Sequence, residues 1–107
     1  YYPFSPNDPQ YALAQKQMKR PGGMFTIELD TDSIAAVEKF CNSLKRFLMG
    51  CSWGGHESLI FPAATLYSSQ NYQTKDLPFT MIRVYCGLEP AEELIADLQQ
   101  AFEQMDK

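Results

Sequence analysis

Residues 79–107 read FTMIRVYCGLEPAEELIADLQQAFEQMDK, and the spacing of apolar side chains changes partway along them. Before Gly87, Ile82, Val84 and Cys86 alternate with Met81, Arg83 and Tyr85, the period of two that gives a strand two unlike faces. After Gly87 the steps lengthen to three and four. Leu94, Ile95, Leu98, Phe102 and Met105 form one stripe, with Pro90 at its start and acids in the first turn, where the helix dipole favours them. A strand followed by a long closing helix is expected, with Arg83 turned away from the more aliphatic face of the strand.

The upstream segments supply partners for this pair. MFTIELD (24–30) alternates Phe25, Ile27 and Leu29 against Thr26 and Glu28, so a strand is expected there. DTDSIAAVEKFCNSLKRFLM (30–49) sets Ile34, Val37, Cys41, Leu44 and Leu48 at helical steps behind a cap at Asp32 or Ser33. SLIFPA (58–63) is a short apolar strand closed by Pro62. Near the start, Asp8 stands where a cap belongs and Pro9 at the first helical position, which predicts a helix over about residues 9–19, stopped by Pro21, Gly22 and Gly23. Ala64 to Pro78 is polar and without period, and is read as a loop. The order predicts an α+β fold, a small, mostly antiparallel sheet with helices packed on one face.

A chain of 107 residues suits one domain. Nine basic and thirteen acidic side chains leave a formal charge of −4 with no dense basic cluster, which argues against a nucleic-acid partner. Cys41, Cys51 and Cys86 are odd in number, scattered and without a CxxC spacing. That pattern argues against a disulfide framework or a zinc knuckle and fits a reducing cytoplasm. No apolar run approaches the roughly 18 residues of a membrane span, so no membrane partner is expected. The opening YYPFSP brings three aromatics and two prolines without an initiator Met, and reads as a cut inside a longer protein.

Chemistry is sought first in CSWGGHESLIFPA (51–63). Gly54 and Gly55 let the backbone turn sharply or approach a ligand, and N–H groups around Ser52 that point one way can hold an anion. The plainer reading is a turn joining two strands. His56, the single histidine, lacks the three or four donors of a metal site, and Ser52, Cys51 and His56 carry no nucleophile-elbow motif. Arg83 is the stronger candidate. A guanidinium within an apolar and aromatic strand must reach water or meet an anion, and its fork matches a carboxylate in two parallel hydrogen bonds.

Three blocks, YALAQKQMKRPGGMFTIEL (11–29), SLKRFLMGCSWGGHESLIFPA (43–63) and MIRVYCGLEPAEELIADLQQAF (81–102), together resemble the C-terminal domain of the Cys/Met metabolism pyridoxal-phosphate enzymes. That family includes cystathionine γ-synthase, cystathionine β-lyase, cystathionine γ-lyase and methionine γ-lyase. The resemblance implies the small C-terminal domain of a fold-type-I, aminotransferase-like enzyme over residues 1–107. Arg83 and Ser52 would then grip the substrate α-carboxylate with the Trp53 backbone beside them, and Cys51 would occupy the specificity position where relatives carry Glu or Tyr. The resemblance also places the Schiff-base lysine and the phosphate-binding residues in a large domain outside this chain, so Lys75, in QTK (73–75), is not the cofactor lysine. It implies a parent that makes or breaks a C–S bond of a sulfur-containing amino acid with pyridoxal phosphate. This segment alone is then expected to be inactive and to hold no cofactor. Trp53, Met81, Tyr85 and the YYPF segment, uncovered by the missing large domain, predict self-association or exchange of the N-terminal segment between copies. The competing reading is a free-standing amino-acid-binding or regulatory α+β module.

Overall fold

A computed structural model describes all residues, 1–107. The elements run α1 (Tyr11–Gln17), β1 (Met24–Glu28), α2 (Ile34–Ser43), β2 (Leu48–Met49), β3 (Leu59–Pro62), a 3-10 turn (Ala63–Leu66), β4 (Met81–Tyr85) and α3 (Ala91–Met105). The four strands lie in the order β1-β4-β3-β2. β4 pairs antiparallel with both β1 and β3, and only the short β2–β3 pairing is parallel. The mostly antiparallel α+β arrangement is therefore the one the periodicity predicts.

Alternation along the strands sorts their side chains onto two different faces. Ile82 and Val84 stand opposite Ile27 and Phe25 on β1 and Pro62 and Ile60 on β3. These residues meet Val37, Phe40 and Cys41 of α2 and Leu94 and Ala101 of α3 in one apolar core. Removing this surface from water is the main force that holds the sheet against the two helices. Thr26, Phe61 and Arg83 line up on the opposite face, which no helix covers in the same way. None of α1 joins the core, and Ala14 is its only buried residue.

Four local expectations change. α1 begins at Tyr11 because Asp8 does not cap it; the Asp8 carboxylate accepts from the backbone N–H groups of Tyr2 and Gln10, at 3.0 and 2.8 Å, and forms a turn just ahead. α2 ends at Ser43, so Leu44 is extended and Leu48 lies in β2; Ile34 is exposed while Phe40, outside the expected stripe, is fully buried. On α3, Ile95 and Phe102 are exposed and Asp97 is buried in their place. The 64–78 loop opens with the 3-10 turn. The N-terminal segment lies along its own β1: the Tyr1 amine donates to the Thr26 carbonyl at 2.7 Å and the Thr26 N–H returns to the Tyr1 carbonyl at 3.2 Å. No helix is long and apolar enough to cross a membrane.

Candidate functional site

β4 carries Arg83 in the register opposite Thr26 and Phe61, on the sheet face away from the core. Its guanidinium carbon lies 5.3 Å from the centre of the Phe61 ring, within cation–π range, and one terminal nitrogen donates to the Cys51 carbonyl at 2.6 Å. Arginine and the glycine-rich loop, more than 30 residues apart in sequence, are thereby joined. The contact is made by the Cys51 backbone; its thiol is free and exposed.

The loop continues through Ser52, which is exposed and whose hydroxyl bonds to nothing within the chain, and Trp53, which is 61% exposed. Gly54 has φ +93°, a conformation in which a side chain would be strained. The hydroxyl of Tyr85, two residues beyond Arg83 and on the same face, donates to the Gly55 carbonyl at 2.9 Å. Two side chains of one strand thus hold two carbonyls of one loop. Beside them Thr26, Phe61, Leu66, Leu77, Met81 and Arg83 line a hollow of about 250 Å³. Small-molecule pockets begin near 300 Å³. The hollow is therefore sized for one end of a ligand.

His56 points outward, with Nε2 4.0 Å from the Glu57 carboxylate, and no group of three or more His, Cys, Asp or Glu side chains is placed to hold a metal ion. Lys75 sits in the 64–78 loop at φ +47°, its ammonium 5.3 Å from the centre of the Tyr67 ring.

Two carboxylates that the sequence reading missed tie down the segments on either side of the 51–57 loop. Asp97 of α3, 4% exposed, accepts from the backbone N–H groups of Lys45, Arg46 and Phe47 at 2.8, 2.7 and 3.1 Å, and from the Gln100 amide at 3.1 Å. Burial disfavours its charge, but these donors outweigh burial and hold its carboxyl below the usual carboxylate range. Glu89, just ahead of α3, accepts the Ser58 hydroxyl at 2.6 Å and the Ser58 N–H at 3.0 Å. The hydroxyl bond and then the N–H bond lower its pKa. Burial, and then the nearby Glu89 charge, push the Cys86 thiol up. The available signal was an acid in each case, Asp97 on the apolar side of a helix and Glu89 beside Pro90.

The sequence model of the Cys/Met metabolism PLP-dependent enzymes matches residues 1–103. L-methionine gamma-lyase of Pseudomonas deceptionensis is 40% identical over 97% of this chain and 27% of its own length. L-alanine/L-glutamate racemase of Wolbachia pipientis wMel is 38% identical over 94% of this chain and 25% of its own. Cystathionine gamma-synthase of Escherichia coli K12 is 33% identical over 100% of this chain and 28% of its own. Among solved structures, metB from Corynebacterium glutamicum superposes with a TM-score of 0.78 at 36% identity, over 95% of this chain and 26% of that one. The chain spans about a quarter of the length of the curated relatives it matches.

Proposed function

This chain belongs to the Cys/Met metabolism PLP-dependent enzyme family, and from that premise we propose that residues 1–107 are the C-terminal, α-carboxylate-binding part of an enzyme acting at the C–S bond of a sulfur-containing amino acid. The observation that carries the reading is the Arg83 guanidinium, set on the face away from the core beside the 51–55 loop, with one donor on Cys51 and the rest free for a ligand. Fixing an amino acid by its carboxylate sets the orientation of its Cα bonds, and a bidentate arginine does so with defined geometry. Ser52, with a hydroxyl bonded to nothing else, and the Trp53 backbone extend the same anion site. Cys51 faces the distal part of the substrate.

Pyridoxal phosphate would serve the complete enzyme, but the residues present do not fit it. The hollow beside Arg83 is lined without a lysine or an acid, and Lys75 stands over Tyr67. What is built here matches the acidic end of an amino acid. The large domain that completes the enzyme, and self-association of the segment through its uncovered apolar surface, belong to the same proposal.

The test is Arg83→Ala and Arg83→Lys in the complete enzyme, read as release of a thiol from cystathionine and methionine and of hydrogen sulfide from homocysteine. Truncating one partner of a charge pair costs roughly 2–5 kcal/mol, which converts to a loss of about 30-fold or more in kcat/KM. Lysine should recover only part of it. An Arg83→Ala enzyme within about threefold of the parent would overturn the assignment. Every amino acid presents an α-carboxylate, so the likeness to a racemase leaves the carboxylate site unaffected; thiol release decides which bond is broken. The 107-residue chain alone is expected to release none.

A further inference from the structure

Ser58 closes the glycine-rich loop, is fully buried, and has every polar atom committed. Its N–H and hydroxyl both donate to Glu89, at 3.0 and 2.6 Å. Its hydroxyl oxygen accepts from the Gly87 N–H at 2.8 Å, and its carbonyl accepts from Leu48 at 3.1 Å. Around it the chains come unusually close: Leu88 donates to the His56 carbonyl at 2.8 Å, and a Cβ on Gly87 would lie 2.3 Å from that oxygen. Only glycine permits this approach.

These bonds lie just past the ends of β3 and β4. The ladder of those strands stops at Leu59 opposite Tyr85, and Glu89 carries the pairing onward through a side chain. On the entry side, Leu48 donates to Ser58 and Gly50 donates to Ile60 at 3.0 Å, so both ends of the 51–57 loop converge on one point. Between them the loop side chains are exposed, and Arg83 and Tyr85 each hold one carbonyl.

We propose that Glu89 is a positioning residue for the anion site: by holding both donors of Ser58 it fixes the loop that sets Cys51, Ser52 and Trp53 beside Arg83. The functional meaning rests on the carboxylate reading above, whereas the anchoring itself does not. A glutamine at this position keeps the acceptor for the Ser58 N–H but turns an amide N–H₂ toward the hydroxyl. The hydroxyl, already receiving Gly87, then has no acceptor for its own proton. Alanine at position 58 removes the same link from the other side, and with it the acceptor of the Gly87 N–H.

Trp53 is the only tryptophan and sits within the loop, so it reports locally without substrate or cofactor. Time-resolved fluorescence anisotropy should show about a twofold larger fast-motion amplitude in Glu89→Gln than in the parent chain, with unchanged helical circular dichroism. Ser58→Ala should loosen the loop at least as much, because it also leaves the Gly87 N–H without its acceptor, and the double variant should be no looser than Ser58→Ala alone, since the Glu89 link is already gone. Glu93→Gln, which breaks only the exposed pair with Arg46, should leave Trp53 unchanged. An immobile Trp53 in folded Glu89→Gln, or additive single variants, would overturn the proposal while leaving the Arg83 reading standing. Should either variant fail to fold, amide exchange in the parent chain decides. The Ser58 and Gly87 amides should exchange at least about 100-fold more slowly than those of Gly54 and Gly55, and equal rates would refute the clasp.

Discussion

Asp97→Asn should destabilise the chain far more than the exchange of one oxygen for an N–H₂ group suggests. The carboxylate is buried and serves four donors: one oxygen takes Lys45 and Gln100, the other Arg46 and Phe47. An asparagine keeps one acceptor oxygen and places an N–H₂ against N–H groups on the other side. Two hydrogen bonds to a charged acceptor are lost, each contributing about 1.5–3 kcal/mol. The Gln100 amide also donates to the Ser43 carbonyl at 2.6 Å and can partly compensate. A net loss of about 3 kcal/mol is expected, which lowers Tm by roughly 12–20 °C in a domain of this size. Urea unfolding followed by circular dichroism measures it. The pH dependence gives an independent check. Because the folded pKa of Asp97 is lowered, its contribution is complete above the unfolded carboxylate pKa of about 3.9 and is lost as pH falls through the folded value. The gap between parent and variant should be constant near neutral pH and narrow only in acid below about pH 4. A loss under about 1 kcal/mol, or a gap unchanged into acid, would refute the account of Asp97 as the charged anchor of the 45–47 segment.

Two further outcomes follow from local geometry. Burial pushes the Cys41 thiol up to about 11 while Cys51 is exposed, so an aromatic disulfide reagent at pH 8 should label Cys51 rapidly and reach Cys41 only on unfolding; mass spectrometry of the labelled peptides checks the order. Gly87→Ala must push a methyl group against the His56 and Glu57 backbone at 2.3 and 2.6 Å and should cost at least about 2 kcal/mol, measured by denaturant titration.

What the sequence disclosed was the part written in period. Alternation over 81–86 and 24–29 places Ile82, Val84, Phe25 and Ile27 toward the core and sends Arg83 to the other face, because strand geometry leaves a side chain only two directions. Helical spacing locates α2 and α3, and Ser33 caps α2 through its hydroxyl on Ala36 at 3.3 Å, one of the two caps expected. Spacing fails where a distant group intervenes. The stripe expected through Leu44 and Leu48 ends early because the Lys45, Arg46 and Phe47 N–H groups turn to Asp97, about 50 residues away, and not back into the helix. β2 is two exposed residues held by β3, too short to show alternation. The pairing of Arg83 with Cys51 depends on strand order, which no local pattern contains, and Glu89 looks like an ordinary helix-start acid until Ser58 is brought to it.

Arg83 also explains why the loop needs anchors elsewhere. A guanidinium has five N–H donors, and here one is engaged by a neutral carbonyl. In the proposed reading an arriving carboxylate forms charge-assisted bonds, about twice as strong as that neutral one. If Cys51 relied on Arg83 alone, the ligand would compete with the loop for the same side chain and binding would loosen the site it enters. Asp97 holds the segment entering the loop and Glu89 the residue leaving it, both through acceptors that take no part in anion binding. In that reading Arg83 exchanges its partner while the loop keeps its place, so the ordering cost is met before the ligand arrives.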